Sequence, residues 1–219
     1  MNDSGADTRN GAEPVIVVHG LWLHGMVMGW LARRIAQRGF DTHTYSYPSV
    51  QLTLSENAAR LAQFCKKFAA PRVHIVGHSL GGLIALKMLE TTPEMHCGRL
   101  VLVGTPYTGS FAAQRLAQFP GGAALLGRSI AEWLDGARPA IRAEAVGVIA
   151  GTRGLGLGWL IAPDLPRPHD GAVTVAETEI PGAHARILLE VSHSEMLVSR
   201  EVAEQCGEFL AHGRFAPAA

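Results

Sequence analysis

Residues 73–82 read VHIVGHSLGG, and this stretch decides the fold. The run RVHIVG (72–77) is rich in β-branched residues, which predicts a strand buried on both faces of a sheet. The pattern G-x-S-x-G over 77–81 follows at once, and an apolar run predicts a helix over 80–90. Glycines permit a turn this sharp because they have no Cβ. The stretch therefore predicts a strand, a tight turn that exposes Ser79, and a helix.

The same alternation of strand and helix recurs along the chain. The other predicted strands are 15–20, 42–47, 99–104, 145–151 and 186–191. The other predicted helices are 28–38, 55–68 with Ser55 as its cap, two within 110–135, and 199–212. This order predicts an α/β fold, a mainly parallel sheet of about six strands flanked by helices. Ligands of such sheets bind beyond the carboxyl ends of the strands, so the residues that follow each strand are the candidates for function.

Length and composition indicate one domain. The chain has 219 residues, of which 47% are hydrophobic and 17% charged, which is ample material for a core. We expect a flexible N-terminal tail over 1–13, a single α/β domain over 14–213, and a C-terminal tail over 214–219. Within the domain, residues 105–135 are predicted either to form a helical cover over the functional site or only to cover the sheet.

Charge and cysteine content exclude several classes of protein. Lys and Arg number 19, as do Asp and Glu, and no basic run exceeds two residues, so neither nucleic acid nor an anionic membrane is an expected partner. The three cysteines form no C-x-x-C pattern, which excludes a zinc knuckle or a disulfide framework. The polar first 14 residues lack the apolar stretch of a secretory signal, and no apolar window is long enough for a membrane span. We therefore expect a cytoplasmic protein.

Two predicted exit loops supply groups that suit acyl chemistry. Ser79 is a candidate nucleophile, with the N-terminus of the next helix beside it; the alternative is a glycine turn whose serine only caps the helix. An oxyanion needs two backbone N–H donors, one after the nucleophile and one from a neighbouring exit loop. The first strand ends in HGLWLHG (19–25), so we assign these donors to Leu80 and Leu21.

A serine hydroxyl needs a base, and in this topology an acid and then a histidine follow the serine along the chain. Position selects His193 among the ten histidines, because it lies two residues beyond the last predicted strand. His78 adjoins Ser79 but is expected to point away from it. The remaining alternatives lie inside or before strands, next to the candidate acid, or in the last helix: His74, His169, His184 and His212.

The candidate acid is Asp170, which lies between the fifth and sixth predicted strands and precedes a glycine. Its role would be to hold the tautomer of His193 and to stabilise the imidazolium. Asp164 is the chief alternative, and Glu195 is too close to His193 in sequence to reach behind its ring easily.

Four segments together resemble a known family. VVHGLW (17–22), VGHSLGG (76–82), HDGAVTV (169–175) and VSHSEML (191–197), in this order, resemble bacterial α/β-hydrolases of the small lipase/esterase kind. The resemblance covers about residues 14–212. The chain lacks the leading strands of the larger members and has no long insertion for a separate cap domain.

The resemblance implies a serine hydrolase that acts on carboxylic esters without a metal or an organic cofactor. Ser79, Asp170 and His193 match the positions of the catalytic triad, and Leu21 and Leu80 match those of the oxyanion hole. The implied partner is a small-molecule ester or lipid substrate.

Apolar residues near these loops are candidates for the substrate pocket. We assign Trp22, Leu23, His78 and Phe111 to it, and expect a neutral ester with a short-to-medium acyl group because these loops carry no basic cluster. The glycine-dense loop 151–160 is either a gate or a connector. The same triad would serve an acyltransferase or a thioester, amide or lactone hydrolase, and a further alternative is a non-catalytic lipid-binding protein on the same fold.

Overall fold

The apolar runs form a six-stranded sheet in the computed structural model, which describes residues 12–139, 143–156 and 161–217. All strand pairs are parallel, and their order across the sheet is β2-β1-β3-β4-β5-β6. The strands are β1 (Pro14–Val18), β2 (Asp41–Tyr45), β3 (Val73–His78), β4 (Cys97–Val103), β5 (Ala145–Gly151) and β6 (Ala185–Leu189). The prediction of an α/β fold with a parallel sheet is confirmed.

Helices flank both faces of this sheet. In the described part of the chain they are α1 (Gly29–Ala36), α2 (Leu54–Cys65), α3 (Leu80–Thr91), α4 (Phe111–Ala117), α5 (Gly122–Asp135) and α6 (Arg200–His212). Three short 3-10 turns cover Gly25–Met28, Ala176–Thr178 and Glu195–Leu197. None of these described helices has the length and apolar character needed to cross a membrane.

The sheet divides the core into two layers. Successive side chains of a strand point to opposite faces, so Val15 and Val17 of β1 pack with α1 and α6. Ile16 and Val18 of the same strand pack with α2, α3 and α5 on the other face. Burial on both faces explains why the central strands read as nearly continuous apolar runs.

The chain changes direction across the sheet at β1. β2 lies on one side of β1, whereas β3 to β6 follow one another on the other side. In open parallel sheets a crevice forms at such a switch point, beyond the carboxyl ends of the strands. The exit loops of β1 and β3 therefore meet there, and these loops carry Leu21 and Ser79.

Some predicted boundaries differ from the structure. Ser55 does not cap α2: Thr53 does, because its hydroxyl accepts the N–H of Glu56 while the Glu56 carboxylate accepts the N–H of Thr53. The predicted C-terminal tail is partly packed, since Phe215 contacts Phe209 of α6 at a ring separation of 5.0 Å. Residues 1–11 of the predicted N-terminal tail lie outside the described residues.

Candidate active site

The turn between β3 and α3 places Ser79 in a backbone conformation that is rare for a residue with a side chain. Its φ is 53° and its ψ is −123°. A Cβ on Gly77 would lie 2.5 Å from the Cα of Gly82, and one on Gly81 would lie 2.5 Å from the carbonyl oxygen of Val18. The glycines of the G-x-S-x-G pattern are therefore required by close packing of strand, turn and helix, which leaves the Ser79 side chain at the edge of the sheet.

Two backbone N–H groups beside this turn have no hydrogen-bond partner among the described residues. One belongs to Leu21, three residues after β1, and the other to Leu80, the first residue of α3. Both residues border the cavity that Ser79 borders. The N-terminus of α3 adds the positive end of a helix dipole on the same side. This arrangement suits an anion that forms next to Ser79.

A buried histidine fixes the loop that carries Leu21. The ring Nδ1–H of His19 donates to the carbonyl oxygen of Gly20 at 2.7 Å, and its Nε2 accepts the N–H of Tyr47 at 3.2 Å. The Tyr47 hydroxyl donates to the carbonyl oxygen of His19 at 2.8 Å, and the two rings stack. Burial lowers the pKa of His19, which keeps the ring neutral. Sequence reasoning missed this role, although the His-Gly pair at a strand end was a signal for it.

His193 and Asp170 are joined by side chain and backbone. The ring Nδ1–H of His193 donates to Asp170 Oδ2 at 2.7 Å, and the His193 backbone N–H donates to the Asp170 carbonyl oxygen at 2.8 Å. Asp170 Oδ1 accepts the N–H groups of Ala172 and Val173 at 2.9 and 2.7 Å. The carboxylate is 1% exposed and lies behind the histidine ring, while His193 itself borders the cavity.

Opposing effects set the protonation of His193. Burial lowers the pKa of His193, but the charge of Asp170 and the hydrogen bond to it outweigh burial, so the pKa lies above its ordinary value. The hydrogen bond at Nδ1 leaves Nε2 as the nitrogen free to exchange a proton with a group in the cavity.

The alternative acids face away from the cavity. Asp164 is half exposed and forms an ion pair with Arg115. Glu195 accepts the N–H of Ser192 at 2.7 Å and pairs with Arg153 at 2.8 Å.

The alternative histidines are engaged elsewhere. His74 contacts Glu13, His169 accepts the N–H of Gly171, His184 accepts the N–H of Val146, and His212 lies near Glu208.

A cavity of about 340 Å³ opens at the Ser79 turn. Leu21, Trp22, Leu23 and His78 of the predicted site border it. Its wall is completed by apolar residues from the two helices above it and from the loops around the acid and the histidine. The helices contribute Ala112, Ala113, Leu116, Leu126 and Ile130, and the loops contribute Gly171, Ala172, Val173 and Leu197. The cavity thus joins a nearly apolar wall to one edge with a hydroxyl, an imidazole and free N–H groups.

Phe111, which the sequence analysis assigned to the pocket, lies outside the cavity lining among the described residues. It is the first residue of α4, and its backbone N–H donates to the Glu177 carboxylate. Its ring lies against the guanidinium of Arg115, 5.3 Å from the ring centroid. A helix turns by about 100° per residue, so Ala112 and Ala113 face the cavity in its place.

Residues of the segment 105–135, called the cover below, border the cavity, and the segment is attached to the loop that carries Leu21, the candidate oxyanion loop. The Trp22 indole N–H donates to the carbonyl oxygen of Leu125 at 2.7 Å, and the Trp22 backbone N–H donates to Ser49 Oγ at 3.1 Å. α5 has a kink at Gly127, whose φ is 75°. Just beyond the kink, the N–H of Arg128 donates to the carbonyl oxygen of Val50 at 2.9 Å.

Known proteins share this architecture. The family model described as "Alpha/beta hydrolase family" matches residues 15–213. The chain therefore belongs to the alpha/beta hydrolase family. No curated protein matches its sequence.

Among solved structures, the mature Bacillus licheniformis lipase BlEst2 is similar with a TM-score of 0.72 and 18% identity, over 95% of each chain. The metagenomic carboxyl esterase MGS0156 has a TM-score of 0.65 and 18% identity, over 84% of this chain and 65% of its own. The Paleococcus ferrophilus monoacylglycerol lipase has a TM-score of 0.62 and 16% identity, over 91% and 95%. At these identities the likeness concerns the fold.

One prediction falls partly outside the described residues. Positions 157–160 of the glycine-dense loop are not described, so its role as gate or connector stays open. Within the described ranges, no group of three or more His, Cys, Asp or Glu side chains is arranged to hold a metal ion.

Proposed function

We propose that this chain is a serine hydrolase that cleaves carboxylic esters with apolar acyl groups of short-to-medium length. The observation that carries the proposal is the joint placement, around one apolar cavity, of Ser79 on its turn and of His193 with Asp170 behind it. The family assignment, together with the similarity to two lipases and a carboxyl esterase, supports the same reaction class. A cytoplasmic location stays a prediction from the sequence.

In the first half-reaction, His193 Nε2 takes the proton of the Ser79 hydroxyl as Oγ attacks the ester carbonyl carbon. The negative charge that develops on the carbonyl oxygen is stabilised by the N–H groups of Leu21 and Leu80. His193 is then an imidazolium, which the Asp170 carboxylate stabilises. His193 next gives its proton to the leaving alkoxide, and the acyl group remains on Ser79.

In the second half-reaction, His193 takes a proton from water, and the resulting hydroxide attacks the acyl carbon. The same N–H groups stabilise the second oxyanion, and the proton returns to Ser79 Oγ as the carboxylic acid leaves. No hydrogen bond joins Ser79 Oγ to His193 Nε2 among the described residues. Such a contact is often long in a free enzyme and shortens when substrate binds.

The cavity supports the proposed acyl length. Its volume of about 340 Å³ lies near the lower end of ligand pockets. It equals the volume of about eleven water molecules at roughly 30 Å³ each. A short-to-medium acyl chain fills such a space, whereas a long one would have to extend beyond it. Within the described part of the chain, the lining includes no Lys or Arg side chain that would favour an anionic acyl group.

The test is a series of p-nitrophenyl esters from acetate to palmitate, assayed with the wild type and Ser79→Ala. We expect a maximum of kcat/KM at short or medium chains and loss of turnover in the variant. Equal turnover in both proteins would reject Ser79 as the nucleophile. Assays with an added alcohol separate hydrolysis from acyl transfer, because a transferase would form the new ester in place of the acid.

A further inference from the structure

The main chain of His193 is held at both of its polar groups. Its N–H donates to the Asp170 carbonyl oxygen at 2.8 Å, and its carbonyl oxygen lies 3.1 Å from Nε2 of His78. A carbonyl oxygen can only accept, so the His78 ring carries its proton on Nε2 and donates. Together with the bond from the His193 ring to Asp170, these contacts leave Nε2 as the one polar atom of His193 without a described partner.

His78 comes from a different part of the fold than the residues it contacts. It is the last residue of β3, directly before Ser79, whereas His193 follows β6 at the far edge of the sheet. The two rings lie 4.6 Å apart at 46°. A hydrogen bond from the residue before the nucleophile to the residue that serves as base fixes the distance between the two reacting groups.

The burial of His78 indicates that its side chain does more than occupy space in the core. The side chain is 2% exposed, and its Nδ1 has no hydrogen-bond partner among the described residues. A buried nitrogen without a partner costs free energy that an apolar side chain of similar size would not. The imidazole therefore provides something that an apolar group cannot, and its one hydrogen bond is the donation to His193.

His78 also remains uncharged next to the base. Burial, together with the proximity of His193, lowers the pKa of His78 to about 3. A neutral ring does not oppose the positive charge that His193 acquires in the proposed reaction.

We propose that His78 is a positioning residue: its Nε2–H holds the main chain of His193 so that the imidazole stays at the correct distance from Ser79. This inference rests on the proposed function, in which His193 is the base. It adds a second role to the substrate binding that the sequence predicts for His78, which also borders the cavity.

The decisive experiment compares His78→Gln with His78→Asn and His78→Met. Gln carries an N–H as many bonds from Cβ as Nε2 of histidine, Asn carries one that is a methylene short, and Met fills similar space without a donor. Asn and Met are expected to lose about 10- to 100-fold in kcat, because a displacement of about 1 Å has effects of that order. Gln is expected to retain kcat within about fivefold, since it keeps the hydrogen bond.

Three readouts separate positioning from a general loss of structure. KM for a butyrate ester is expected to change little while kcat falls, and the low-field proton resonance of the His193–Asp170 hydrogen bond is expected to persist. The matched control is His74→Met, which alters another fully buried histidine of β3 far from the cavity. It is expected to lower Tm without lowering kcat. Equal kcat in Gln, Asn and Met variants, whether high or low, would overturn the proposal.

A fluorophosphonate probe keeps this test independent of ester hydrolysis. Ser79 Oγ would bond to phosphorus, fluoride would leave, and His193 would take the hydroxyl proton, so the labelling rate reports the base whatever the natural substrate. If the wild type cleaves no ester but is labelled, the ester proposal fails and labelling of the variants still judges His78. A wild type that is neither active nor labelled would overturn both proposals.

Discussion

The two sides of the cavity are held in place by different means. On one side, Asp170 and His193 are joined to each other and to the main chain by hydrogen bonds of 2.7 to 2.9 Å. On the other side, five residues of the cover (122–126) lie between two glycines at positive φ, Gly121 and Gly127. This segment is attached to the oxyanion loop through the indole of Trp22.

We therefore expect the side with Asp170 and His193 to determine the rate of the reaction, and the side with the cover to determine which ester is preferred. Hydrogen bonds to each other and to the main chain hold Asp170 and His193, so under the proposed function changes there should reduce kcat for every acyl group. The cover supplies apolar side chains to the cavity wall, so under the proposed function changes there should alter which ester is preferred. A variant of one side that behaves like a variant of the other would break the comparison.

The largest effect is expected for Ser79→Ala, which alters the proposed reaction and leaves the cover unchanged. Removing the nucleophile should lower kcat by at least about 10⁴-fold for all chain lengths. Initial rates on the ester series measure this loss. The control is Ser199→Ala, which removes the cap of α6 and should cost about 1 kcal/mol of stability with no loss of kcat. A residual rate that still varies with chain length as in the wild type would point to another nucleophile.

Asp170→Asn is expected to rank second, with kcat about 10³- to 10⁴-fold lower. The amide would no longer hold the His193 tautomer that leaves Nε2 free. Asp164→Asn is the control, because its exposed ion pair with Arg115 is worth about 0–1 kcal/mol and kcat should hardly change. If the two variants lost activity equally, Asp164 would have to be reconsidered as the acid.

The pH profile sharpens the assignment of the same pair. His193 must be neutral to accept a proton, and its pKa is raised by Asp170 against the lowering effect of burial. Activity should therefore fall, as pH decreases, at a higher pH than for an ordinary histidine with a pKa near 6.5. In Asp170→Asn the raising effect is absent and burial remains, so the acid limb of kcat/KM should move to lower pH. If the acid limb of kcat/KM stayed at the same pH, Asp170 would not be the group that raises the pKa of His193.

Leu126→Ala tests the cover, with a smaller effect. Leu126 is 5% exposed and borders the cavity, so truncation should enlarge the acyl site. The ratio of kcat/KM for decanoate to that for butyrate should rise about tenfold, as expected for apolar pockets that gain room. Leu125→Ala is the matched control, because its side chain is 57% exposed and its carbonyl would still accept the Trp22 indole. A fall in kcat without a change in this ratio would show that the cover affects the rate of the reaction rather than the choice of ester.

Trp22→Phe should have the smallest effect. It keeps an aromatic ring but removes the N–H that donates to Leu125, a hydrogen bond worth about 0.5–1.5 kcal/mol. We expect KM for the longer esters to rise by about two- to tenfold with kcat preserved. Trp30→Phe, at an exposed tryptophan stacked on Arg34, should change neither constant. A large loss of kcat in Trp22→Phe would show that the indole also fixes the oxyanion loop.

The sequence by itself determined the strands, the parallel sheet and the turn around Ser79. These features depend on neighbours in the chain: an apolar run forms a buried strand wherever it lies, and glycines at 77 and 81 leave few other conformations for the turn. The position of His193 after the last strand followed from the rule that parallel strands bring their carboxyl ends to one edge. The choice of Asp170 as the candidate acid relied on the same rule, and the structure places its carboxylate 2.7 Å from the ring of His193.

The tertiary structure alone decided which side chains meet across long separations. Because a helix turns by about 100° per residue, Ala112 borders the cavity and Phe111 does not. The local sequence does not show which face of α4 is turned toward the cavity. The hydrogen bonds of Trp22 to Leu125 and of His78 to His193 join residues 103 and 115 positions apart. Such contacts depend on how helices and loops pack over the sheet. The pattern of residues therefore predicted the candidate reacting groups, while packing decided what surrounds and holds them.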